Sequence, residues 1–106
     1  MNTLSSHVLD TTNGKPVAGM QLTLQLPDGS TREGVTDSDG RFKDWGTTFS
    51  EGIYTLRFHC QRYLVDTHGK SFYPHIDITF ELEAQGGHYH VPLLISPFGF
   101  SSYRGS

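Results

Sequence analysis

The sequence predicts an all-β sandwich, and three observations predict it. Seven or eight short runs alternate apolar and polar residues with the period of two that a strand imposes. Turn tetrapeptides rich in Gly, Pro, Asn and Asp separate them at short intervals. Only one segment, Cys60 to Lys70, stays free of turn residues long enough to form a helix. The pattern is that of two packed sheets. It reads as a single domain over residues 1–106, without linker, repeat or low-complexity stretch.

Leu4 to Asp10 forms the first strand, with Leu4, Ser6 and Val8 on one face and Ser5, His7 and Leu9 on the other. Asn13-Gly14-Lys15-Pro16 carries turn chemistry. From Met20 to Leu26, four apolar side chains oppose Gln21, Thr23 and Gln25, the alternation of a half-buried antiparallel strand. Asp28-Gly29 is a hairpin signal leading into Thr31–Thr36. Asp37-Ser38-Asp39-Gly40 turns again and delivers Arg41 at the head of a short run ending at Trp45. Ile53 to His59 alternates Tyr54, Leu56 and Phe58 against Ile53, Thr55 and Arg57. The Cys60–Lys70 helix of about two turns is broken by Ser71-Phe72-Tyr73-Pro74.

Ile76, Ile78, Phe80 and Leu82 then face one way, and Gln85-Gly86-Gly87 closes a turn. In the next strand His88, His90, Pro92 and Leu94 share a face opposite Tyr89, Val91, Leu93 and Ile95, the core side. Pro92 cannot donate to a ladder, which fits an open or interface position better than a central one. Ser96-Pro97-Phe98-Gly99 has the residues of a type I turn, and Phe98 to Tyr103 returns as an edge strand.

Composition narrows the function. A formal charge of −3, with eight scattered Lys and Arg, gives no footprint for nucleic acid and no polybasic patch for a membrane. The lone Cys60 permits no intrachain disulfide. The N-terminal residues lack the basic and apolar regions of a signal peptide. Together these predict a reduced, cytoplasmic protein. Cys60 reads as buried packing, Trp45 as core or interface, and His59, His68 and His75 as surface or loop residues. His88 and His90 share a face at a spacing metals can use, but no further ligand pair accompanies them, so neither metal nor cofactor is expected. No Gly-x-Ser-x-Gly elbow marks a nucleophilic serine.

Four polar features stand out: His7, Arg41, His90 and the terminal Tyr103-Arg104-Gly105-Ser106. A lone strand histidine reads first as solvent-facing or simply hydrogen-bonded. A set of motifs changes that weighting: Leu4-Ser5-Ser6-His7-Val8-Leu9-Asp10, Gly14-Lys15-Pro16, Thr36-Asp37 with Asp39-Gly40-Arg41, Gly52-Ile53-Tyr54, Phe72-Tyr73-Pro74, and His88-Tyr89-His90-Val91-Pro92-Leu93-Leu94 before the Tyr-Arg-Gly-Ser ending. In this order the chain resembles the 5-hydroxyisourate hydrolases, the enzyme branch of the transthyretin-like proteins. The ending is the most specific part, since the hormone-carrying transthyretins lack it.

The resemblance implies a transthyretin-like β-sandwich of two four-stranded sheets, with one short helix after the fifth strand. It implies a homotetramer, a dimer of dimers, with cofactor-free sites at the dimer–dimer interface. His7, Arg41, His90 and Ser106 would be catalytic, and His7, Arg41, Tyr103, Arg104 and Gly105 would bind the small-molecule substrate. The residue types suit water addition to an acyl carbon of the 5-hydroxyisourate ring. Histidine exchanges protons near neutral pH, and arginine offers a fixed fork of donors. His7 and His90 would position and deprotonate water while Arg41 polarises the substrate. Ser106 would relay a proton or fix the base. Either histidine could be the base. The rival reading is a transthyretin-like carrier that holds a small aromatic ligand without chemistry.

Overall fold

The computed structural model describes residues 1–105 and builds two sheets around one apolar interior. The first sheet runs in the order β2 (Lys15–Pro16), β1 (Thr3–Asp10), β8 (His88–Ser96), β9 (Gly99–Ser102), with β5 (Arg41–Phe42) also pairing with β1. The second is β4 (Thr31–Val35), β3 (Gln21–Gln25), β6 (Gly52–Phe58), β7 (Ile76–Leu82). The one helix among the described residues, α1 (Gln61–His68), follows β6 and ends at Gly69, whose φ of 80° is the left-handed cap. The helix that Cys60–Lys70 predicts is therefore present but shorter at both ends.

The predicted alternation places the core. Leu4 and Val8 of β1, Leu22 and Leu24 of β3, Tyr54, Leu56 and Phe58 of β6, and Leu93 and Ile95 of β8 are all buried. Cys60 and Trp45 are buried with them. Burial raises the Cys60 thiol above its ordinary pKa, as an inert packing residue should behave.

The expected sandwich of two sheets with one short helix is present, and four details of it differ. The first sheet has five strands, not four, because the two-residue pieces β2 and β5 both pair with β1. Counted with β2, the helix follows the sixth strand, not the fifth. The run to Trp45 is a strand only as far as Phe42; there the chain turns, and Phe42 and Trp45 pack edge to face at 4.6 Å. Pro92 lies in a strand paired on both sides, not at an open edge. Its carbonyl accepts the Ser102 hydroxyl at 2.8 Å. Its nitrogen therefore faces the gap between the β8–β9 ladder and the isolated His90–Gly105 bridge, where no donor is needed.

His68 is the clearest correction, for it is neither a surface nor a loop residue. Its Nε2 meets Oδ2 of Asp10 at 2.6 Å, and the Tyr63 hydroxyl donates to the same oxygen at 2.6 Å. The Thr12 amide donates to Oδ1. This fully buried carboxylate ties the helix to the end of β1. Burial alone would raise the Asp10 pKa, but the bonds from Tyr63, His68 and Thr12 outweigh it and hold the carboxyl below 3.8. A lowered folded-state pKa means stability that is present above the unfolded value and lost as pH falls through the folded one. Asp10→Asn is expected to lose about 1.5–3 kcal/mol at neutral pH, with the deficit shrinking in acid. Denaturant melts at pH 7 and pH 3 check this, and equal deficits at both would contradict it.

Candidate active site

The site is assembled by the parallel register of β1 and β8. That pairing sets Thr3 beside His88, Ser5 beside His90 and His7 beside Pro92. Alternation turns Thr3, Ser5 and His7, like His88 and His90, to the outer face, away from the core. Three side-chain bonds result. Ser5 Oγ lies 2.7 Å from Nδ1 of His90 and 2.9 Å from Nε2 of His88, and Thr3 Oγ1 lies 2.6 Å from Nδ1 of His88.

Arg41 arrives from the other side. Asp37 accepts the Asp39 and Arg41 amides on Oδ1 at 2.8 and 3.0 Å, and its own amide donates to the Arg41 carbonyl at 2.9 Å. This tight turn presses β5 onto β1 with Arg41 opposite His7. Gly40 makes the approach possible: its φ is +74°, and a Cβ there would stand 2.6 Å from the Val8 carbonyl oxygen. The bonds from the Arg41 and Asp39 amides lower the Asp37 pKa, keeping it ionised beside the guanidinium.

Between these elements opens a cavity of about 620 Å³, whose lining includes Ser5, Asp37, Arg41, Phe42, His88 and His90. It is the size of a small-molecule site. His90 is half-buried, while Arg41 and His88 remain exposed. Both His7 and His90 titrate below their ordinary value of 6.5, first because burial disfavours the imidazolium and next because the Arg41 charge repels it. At neutral pH both rings are therefore neutral and able to take a proton.

The structure thus brings Arg41 and His90 to one cavity and couples His7 to Arg41 by register and by charge. Gly105 joins them: its amide donates to the His90 carbonyl at 2.8 Å, and a Cβ there would stand 2.5 Å from His90 Cδ2. Only glycine fits against that ring. Tyr103 and Arg104 go elsewhere within this chain. The Arg104 guanidinium lies 4.2 Å over the Tyr89 ring, and both residues line a smaller cavity of about 190 Å³ with Ile78 and Phe80, between the edge strands β7 and β9. Ser106 lies outside the described residues.

Sequence reasoning passed over Ser5, and it weighed His88 only as a metal ligand. The signal was there: Thr3 and Ser5 repeat at the same spacing as His88 and His90, but only the parallel register shows that the two pairs meet. Among the described residues no three His, Cys, Asp or Glu side chains converge as a metal site. Among the described residues, likewise, no helix is long and apolar enough to cross a membrane.

Comparisons with known proteins agree with this architecture. The sequence model of the HIUase/Transthyretin family matches residues 4–105. The 5-hydroxyisourate hydrolase of Mesorhizobium japonicum is 43% identical over 114 residues, covering 97% of this chain and 91% of that protein. The structure of Klebsiella pneumoniae 5-hydroxyisourate hydrolase superposes with a TM-score of 0.89 at 32% identity, covering 100% of this chain and 94% of that one. Transthyretin from Sparus aurata superposes with a TM-score of 0.86 at 26% identity, covering 99% and 97%.

Proposed function

Because the chain belongs to the HIUase/Transthyretin family, we propose that the Arg41–His90 cavity is the place where it does its chemistry. The protein is an enzyme of purine breakdown. It hydrolyses 5-hydroxyisourate to 2-oxo-4-hydroxy-4-carboxy-5-ureidoimidazoline, on the way from urate to allantoin. The observation that supports the site assignment is the pairing of a neutral, half-buried imidazole with an exposed guanidinium around one small-molecule cavity.

In this reading His90 is the base. Its Nδ1 is held by Ser5, and its Nε2 has no hydrogen-bond partner among the described residues. Nε2 takes a proton from water as the oxygen adds to the ring acyl carbon. Arg41, which makes no ion pair among the described residues, directs its fork of donors at the oxygen where charge develops. The carbon–nitrogen bond then breaks, and the nitrogen recovers the proton from His90. His7, neutral and beside Arg41, orients the water or the substrate. Gly105 seats the His90 ring. A carrier reading has only the shared scaffold in its favour and leaves the polar cavity unexplained.

The assembly is part of the proposal. Tyr103 and Arg104 do not line the Arg41–His90 cavity of their own chain. The cavity opens on the outer face of the five-stranded sheet. A homotetramer, a dimer of dimers with that face at the dimer–dimer interface, would let another copy supply their side chains and Ser106. Sedimentation velocity at micromolar concentration is expected to give a tetramer; a monomer that retains full turnover would overturn the shared site. The same reading places the protein in the cytoplasm, supported by its free, buried Cys60 thiol, and recovery outside the cytosolic fraction would contradict it.

A further inference from the structure

We propose that Ser5 and His88 are positioning residues for His90, joined with Thr3 into a hydrogen-bonded relay that sets the His90 tautomer and lets the ring act as base and acid while staying neutral. The inference rests on the reading of His90 as the base. Its own support is geometric: four side chains, three contacts of 2.6 to 2.9 Å, and a donor–acceptor count that closes.

A neutral imidazole has one N–H and one bare nitrogen, and a hydroxyl has one proton to give. Two arrangements with neutral rings run through every contact in a single direction, and a third, in which both rings donate to Ser5 Oγ, also leaves His90 Nε2 bare. In the first, His90 Nδ1–H donates to Ser5 Oγ, Ser5 donates to His88 Nε2, and His88 Nδ1–H donates to Thr3 Oγ1. His90 Nε2 is then bare and can accept a proton. In the second, every bond runs the other way: Thr3 donates to His88 Nδ1, His88 Nε2–H to Ser5 Oγ, and Ser5 to His90 Nδ1. His90 Nε2 then carries a hydrogen and can donate it.

Passing from the first to the second moves one proton along each link. Water's proton forms the new bond at His90 Nε2, the Nδ1 proton goes to Ser5, the Ser5 proton to His88 Nε2, and the His88 Nδ1 proton to Thr3. Thr3 gives its original hydroxyl proton to solvent at the exposed end. The reverse passage returns a proton from solvent to Thr3 as His90 protonates the leaving nitrogen. No imidazolium has to form at His90 beside the Arg41 guanidinium, whose charge disfavours it.

The test is Ser5→Ala, with Ser5→Thr as the variant that keeps the hydroxyl and His88→Ala as a change on an exposed residue. Ser5→Ala is expected to lower kcat by about ten- to hundredfold, a part of what general-base help contributes, with KM nearly unchanged. Ser5→Thr should recover most of the rate, and His88→Ala should fall between. The imidazole ¹⁵N shifts of His90, read without substrate, should report a tautomer that changes in Ser5→Ala and is restored in Ser5→Thr. Unchanged His90 shifts in Ser5→Ala would overturn the relay whatever happens to the rate, and so would an unchanged kcat. If Ser5→Ala fails to fold, wild-type kcat and shifts in His88→Ala overturn it equally. Should His90→Ala prove fully active, the reading of His90 as base fails instead, and the shifts still tell whether the chain exists.

Discussion

His90→Ala is expected to lower kcat/KM for 5-hydroxyisourate by about 10²–10⁴-fold, the range that a positioned general base contributes. The effect should fall mainly on kcat, because the ring acts on the water as the bond forms and not on the bound ground state. His90 also fills the space against Gly105, so His90→Gln, which keeps much of the volume without the basicity, should be nearly as slow. Thermal melts close to wild type would assign the loss to chemistry. Turnover within a few-fold of wild type in both variants would remove His90 from the mechanism.

Arg41→Ala is expected to cost about 2.7–4 kcal/mol of transition-state stabilisation, close to 10²–10³-fold in kcat. The side chain is exposed and its backbone is held by Asp37, so folding should be little affected. Arg41→Lys keeps the charge but not the planar fork, and it should recover only part of the rate. A second readout separates electrostatics from geometry. The acid limb of kcat/KM in wild type should have its midpoint below 6.5, because burial and then the Arg41 charge lower the His90 pKa. Removing the guanidinium lifts the second of these effects, so the midpoint in Arg41→Ala should move up toward 6.5, and in Arg41→Lys it should stay low. A limb that does not move would show that Arg41 and His90 do not feel each other.

The sandwich was legible because nearly every strand has one wet face. Leu22 and Leu24 against Gln21 and Thr23, or Tyr54 and Leu56 against Ile53 and Thr55, state their orientation without help from the fold. The two-residue strands β2 and β5 were not legible, since two residues carry no period and owe their pairing to the turns at Gly14 and Gly40. Pro92 misled because a missing donor points to an edge, whereas here a gap in the neighbouring ladder makes that donor unnecessary. His68 misled because nothing near it in sequence announces a partner: Asp10 is 58 residues away.

The site divides in the same manner. Arg41 and His90 could be named because family motifs carry them, and the fold then brings them to one cavity. Ser5 could not, since a serine on a strand's outer face looks like any solvated position until the parallel register sets it against His90. The Tyr103–Arg104 pair was read as part of the same pocket. Within one chain it lines a different cavity, because β9 and the bridge at Gly105 carry it around the edge of β8.

The measurement that bears most directly on the central claim follows 5-hydroxyisourate, generated in place by urate oxidase, by its absorbance. Decay with wild-type protein is compared with spontaneous decay and with decay in the presence of His90→Ala. Decay that accelerates in proportion to wild-type protein, and returns almost to the spontaneous rate with the variant, is the expected result. Spontaneous decay in all three, together with saturable binding of an aromatic ligand, would contradict it and make the Arg41–His90 cavity a carrier's pocket.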